Sequence, residues 1–122
     1  MEQLDIKQIF SDAGVDYNKG LERFMGNVAL YHKFLLKFLG DGSFAHFKES
    51  FAAGDLENAG KHVHTLKGTA GNLSLMRLFA AADEMVQAVR AGKNCDELEP
   101  LAVQVEKVYE ETCNAIRSAL GE

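Results

Sequence analysis

From Ile6 onward the apolar residues recur at steps of three and four rather than two, the repeat of helices that each bury one face. Ile6, Ile9, Phe10 and Ala13 make the first run, which Gly14 stops. Asp16 is placed to cap a short second helix carrying Tyr17, Leu21, Phe24 and Met25, ended by Gly26. Asn27 opens a third, in which Val28, Tyr31, Phe34, Leu35, Phe38 and Leu39 form a stripe as far as Gly40. Asp41-Gly42-Ser43 then supplies a turn and a new cap, and Phe44, Phe47 and Phe51 continue the pattern to Gly54. Phe34, Phe38, Phe44, Phe47 and Phe51 are read as core, because their helical spacing accounts for them.

Asp55 caps the most regular stretch. Leu56, Ala59, Val63, Leu66, Ala70 and Leu73 alternate steps of three and four, the spacing of a bundle seam. A turn at Asn72-Leu73-Ser74 leads to Leu75, Leu78, Phe79, Ala82, Met85, Val86 and Val89, with Gly92 as the stop. The last helix is expected to begin near Pro100, a residue suited to a first turn, with Leu101, Val105, Val108, Thr112, Ala115, Ile116 and Ala119 facing inward. No stretch alternates like a strand. The pattern predicts an all-α fold over residues 1–122 as one domain: an antiparallel up-down four-helix bundle of long helices joined by short loops, with additional short N-terminal helices.

Composition narrows the class. The apolar share is 47% and the charged share 25%, so the chain has the makings of a soluble domain that folds without disulfides or a structural metal. No apolar run approaches the roughly 20 residues of a bilayer crossing, and Met1-Glu2-Gln3-Leu4-Asp5 lacks a basic start followed by an apolar stretch, so a cytoplasmic protein without membrane insertion is expected. Cys95 and Cys113 have neither CxxC nor Cys/His spacing, and are read as free thiols with no metal site. A net charge of -5 argues against a nucleic-acid partner, whose phosphates demand clustered Lys and Arg.

One segment carries chemistry. With the Val63 and Leu66 seam facing inward, successive residues step ~100° round the helix and His64 points away from the core. Lys61 and Lys67 lie on its side, as do three glycines: Gly60, Gly68 and Gly71. Each glycine costs a helix about 0.5–1 kcal/mol against alanine, so a shared bare face implies a use for the clearance, with Gly68 opening the space beside the imidazole. An imidazole, with an ordinary pKa of about 6.5, offers a neutral nucleophilic nitrogen to a phosphoryl group. That group brings up to about two negative charges, which the Lys67 ammonium would balance and Lys61 would reinforce.

The stretch His64-Thr65-Leu66-Lys67-Gly68-Thr69-Ala70-Gly71-Asn72-Leu73 closely resembles the His-x-Leu-Lys-Gly signature of histidine phosphotransfer (HPt) domains. The resemblance extends back through Gly14-Val15-Asp16, Gly20-Leu21, Phe24 and Tyr31 to Phe38, and forward through the last helix. It implies that His64 is phosphorylated, that Lys67 assists electrostatically, and that Gly68 clears the way for a receiver domain. Response-regulator receivers and a sensor or hybrid histidine kinase are then the partners, a monomer the working form, and the receiver the source of the metal and most catalytic groups. Ser74 stands where such domains usually have glycine, and Val63 where alanine is common.

No Walker or kinase-type glycine loop and no acidic pair for magnesium is present, so no ATP site and no bound cofactor are expected, and the chain is read as a carrier rather than an enzyme. Two other readings remain: a helical interaction module that docks a partner without phosphoryl transfer, and the phosphorylated domain of a larger sensor or chemotaxis kinase. A metal shared by His62 and His64 is excluded because residues two apart on a helix diverge by about 200°. His62 is read as a half-buried structural residue and His32 and His46 as surface residues. Arg77 and Arg90 are weighed as phosphate or partner contacts, with the helix dipole favoured as the explanation of Arg90, and Ile9 and Phe10 are considered for the docking surface.

Overall fold

Most of the helices begin where a side chain accepts one of the backbone N–H groups that a first turn leaves without a partner. Among residues 3–121, which the computed structural model describes, seven helices form: α1 (Gln3–Asp12), α2 (Tyr17–Arg23), α3 (Val28–Phe38), α4 (Ser43–Ala52), α5 (Leu56–Asn72), α6 (Met76–Arg90) and α7 (Cys95–Leu120). Met1 and Glu2, part of the stretch read as lacking a leader pattern, lie outside those residues. Asp16, Asn27 and Asp55 accept from the backbone N–H three residues on, as the sequence predicts. At α4 the cap position itself is Gly42, and the Asp41 carboxylate takes the Ser43 N–H instead, at 2.8 Å.

The fold is an all-α bundle. Helices α4, α5, α6 and α7 each pack on the next, α4 also meets α7, and α1 and α3 lie against α7. The inner face of α5 is fully buried at Ala59, Val63, Leu66 and Ala70. Burying a side chain the size of Leu66 is worth about 1.5–3 kcal/mol, while the two alanines let neighbouring helices approach closely. One continuous core cluster links these residues to Phe10, Tyr31, Phe47, Leu78, Met85 and Ile116.

Two expectations need correction. Helix α7 starts at Cys95, five residues before Pro100, because Asn94 and Glu97 form a reciprocal capping box that outweighs the proline signal. Pro100 therefore lies inside the helix, where its missing N–H forgoes one bond, and Leu98 joins the core. Phe34 is not core: it is 39% exposed on α3, near Val28, Leu30 and Leu36, which are similarly exposed.

The turn after α5 is held from several sides. Leu75 N–H bonds Ala70 O at 2.8 Å, Asp16 N–H bonds Ser74 O at 2.9 Å, and the Tyr31 hydroxyl donates to Leu73 O at 2.8 Å. Ser74 adopts φ +59°, a left-handed conformation that glycine takes without strain, which gives physical content to the departure noted in the sequence. Its hydroxyl is fully buried without a hydrogen-bond partner. The turn nevertheless closes, so α6 folds back along α5 and fixes the register at the site.

Candidate functional site

Helices α5 and α6 run antiparallel, and residues equidistant in sequence from Leu75, to within one position, face one another. A Cβ on Gly71 would meet the Phe79 ring, Lys67 pairs with Asp83, and a Cβ on Gly60 would meet Val89. His64 falls in the same row and is exposed. Together with Gly60, Lys61, Val86, Val89 and Arg90 it lines an open hollow of about 550 Å³ between the two helices.

The surroundings of the imidazole are asymmetric. On the side away from α6, Gly68 is exposed and a Cβ built there would find nothing within 4 Å. On the α6 side, Lys67 Nζ lies 2.9 Å from Asp83 Oδ1 and 5.7 Å from the centroid of the Phe79 ring. Gln87 Nε2 donates to the same Asp83 oxygen at 3.3 Å. Hydrogen bonds from the Lys67 ammonium and then the Gln87 amide hold the Asp83 carboxyl below the usual carboxylate range.

The three glycines thus do not share one bare face. Only Gly68 is open, while Gly60 sits 3.1 Å from Val89 Cγ1 and Gly71 3.2 Å from two Phe79 ring carbons, measured from the added Cβ. Gly60 and Gly71 are packing positions that let α6 approach α5. Lys61 is exposed beside His64 at the hollow, and Arg90, for which the sequence favours the dipole role over a phosphate contact, lines it as well.

Other assignments sort themselves by position. His62 is half-buried as expected, its ring centroid 5.2 Å from that of the exposed His46 on α4. His32 is not a plain surface residue: its Nε2 is hydrogen-bonded to the Tyr17 hydroxyl at 2.6 Å, and burial pushes its pKa down. Arg77 serves the scaffold, donating to Asp12 O at 3.1 Å while its side chain covers Gly14, whose φ of +79° suits the close approach. Phe10 is fully buried and Ile9 half-buried against the core, whereas Met25, Val28, Leu30, Phe34 and Leu36 expose an apolar surface on α3 and the connection before it.

That apolar surface adjoins the outer face of α5. Phe24, Phe34 and Lys37 form a hollow of about 480 Å³ with Thr69 and Asn72, which follow Thr65 and Gly68 along the same side of the helix. Met25, 95% exposed, stands in the α2–α3 connection. The residues that sequence reasoning passed over are Asp83 and Phe79. The signal existed, since folding the chain back at Leu75 sets each opposite Lys67 or Gly71.

Among the described residues no three His, Cys, Asp or Glu side chains are grouped to hold a metal, and no helix is long and apolar enough to cross a membrane. What the arrangement offers is an accessible nitrogen nucleophile with cations around it and an unroofed approach. Comparison with protein families gives a match to the model described as Hpt domain over residues 29–119. Comparison with curated proteins and with solved structures gives no match.

Proposed function

Because this chain belongs to the Hpt domain family, the phosphotransfer modules of two-component signalling, we propose that it takes a phosphoryl group onto His64 from a receiver aspartate or sensor kinase and passes it to another receiver aspartate. The observation that carries this reading is the exposed imidazole of His64 beside the empty space over Gly68. An unprotonated ring nitrogen attacks the phosphorus of an aspartyl phosphate, an N–P bond forms, the P–O bond breaks, and the aspartate leaves as a carboxylate. Onward transfer is the reverse step on a second receiver. Lys67, with Lys61 and Arg90 at the hollow, lowers the cost of the charge carried by the phosphoryl oxygens.

The receiver would seat on the outer side of α5, from His64 past Thr65 and Gly68 to the Phe24 and Phe34 hollow. A small interface of mixed apolar and polar character suits a partner that must leave after each transfer. The chain would work as a monomeric carrier in the cytoplasm, with the metal and most catalytic groups supplied by the receiver.

The test is incubation with a phosphorylated receiver. Wild type should acquire an acid-labile label, His64→Gln should acquire none, and His62→Gln should keep it. Labelling of His64→Gln would overturn the assignment of His64 as the acceptor, and no label on a folded wild type offered its cognate receiver would overturn the reading in favour of a module that only docks.

A further inference from the structure

Lys67 is already engaged before any phosphoryl group arrives. Its ammonium contacts the Asp83 carboxylate at 2.9 Å, with Gln87 holding the same carboxylate oxygen from one turn along α6. The Lys67 side chain is 24% exposed and that of Asp83 38%, so the pair is half withdrawn from water rather than freely solvated. Phe79 gives the ammonium a second resting contact, and Gly71 makes room for that ring. Lys67 is thus held toward α6, three residues from His64.

A phosphoryl group on His64 would be a second anion seeking the same cation. Its charge, about two units near neutral pH, also stands near that of Asp83, and both effects raise the free energy of the loaded state. Resting on the carrier reading above, we propose that Asp83 is a positioning residue that competes with the phosphoryl group for Lys67, so that loading is reversible and onward transfer is favoured. The carboxylate touches no reacting atom. It acts by holding the ammonium that the phosphoryl oxygens need.

The experiment measures the equilibrium distribution of a radioactive phosphoryl label between a receiver and this chain, for wild type, Asp83→Asn, Asp83→Glu, Lys67→Ala and Asp83→Asn/Lys67→Ala, each checked for helical circular dichroism. Asp83→Asn should move label onto His64 by about fivefold, the upper end of what a surface ion pair is worth. Asp83→Glu should restore the wild-type distribution. In the Lys67→Ala background the same Asn substitution should move it less, because only charge repulsion is left to relieve.

An unmoved distribution in Asp83→Asn, or a shift toward the receiver, overturns the proposal. So does an equal shift with and without Lys67, which would make Asp83 a background charge. Each of these leaves the carrier reading standing, since the wild type still takes label. A wild type that takes none overturns both together.

Discussion

Gly68 and Gly71 lie three residues apart on α5, yet an added Cβ meets nothing within 4 Å at the first and two Phe79 ring carbons at 3.2 Å at the second. One glycine faces solvent beside His64, and the other faces the seam with α6. Both give up helix propensity. At Gly71 the loss returns as close packing of two helices, whereas at Gly68 nothing in the folded chain offsets it. An uncompensated loss beside an exposed nucleophile points to something outside the chain that needs the space.

The largest effect should come from filling that space. Gly68→Gln is expected to slow phosphoryl transfer from a receiver by about 10²-fold, the scale on which small misplacements of reacting groups are felt. The same substitution should raise the melting temperature slightly, since glycine in an exposed helix interior costs up to about 1 kcal/mol. Stopped-flow transfer and a thermal melt read the two quantities. Unchanged transfer would reduce Gly68 to an unexplained glycine.

Filling the seam should do the reverse. Gly71→Leu drives a side chain into Phe79 and is expected to cost about 1–3 kcal/mol of stability, the range for overpacking. Because Phe79 also faces Lys67, displacement of the ring should perturb the site as well. Denaturant unfolding tests the stability change, and a gain, the result expected when glycine is replaced at an exposed helix site, would show that the α5–α6 seam yields.

Helix positions and the core face of α5 were legible in the sequence because both rest on local signals: apolar periodicity, and Asp or Asn caps such as Asp16, Asn27 and Asp55. The start of α7 was misplaced where two local signals competed and Pro100 was weighted above the Asn94 and Glu97 pair. His64, Lys67 and Gly68 were legible because a wheel separates outside from inside. It does not say what stands outside. Gly60 and Gly71 share an angular sector with His64, and only the approach of α6 turns that sector from solvent into seam. Phe34 shows the converse, an apolar residue at core spacing whose helix is not covered on that side.

The turn that sets the α5–α6 register carries its own cost. Ser74 holds φ +59° with a buried hydroxyl that has no hydrogen-bond partner. Both are relieved in Ser74→Gly, at some loss of chain entropy in the unfolded state, and a net stabilisation of about 1 kcal/mol is expected. A rise in the denaturant midpoint with unaltered transfer would separate this turn from the chemistry. A fall would mean that the serine is held by something its hydroxyl does not reveal.

The smallest effect extends the contrast from glycines to histidines. His64 stands in solvent, whereas His32 is packed among Tyr17 and Tyr31, and burial lowers its pKa. In the unfolded chain the ring takes a proton near pH 6.5, and in the folded chain only at lower pH. Between those two points the unfolded state binds more protons, so folding stability falls as pH drops below about 6.5 and levels off below the folded-state value. His32→Gln keeps a group able to bond the Tyr17 hydroxyl but removes the titration. Wild type should therefore lose more stability than His32→Gln between pH 7.5 and 5. Parallel losses in the two proteins would place the acid sensitivity on other groups.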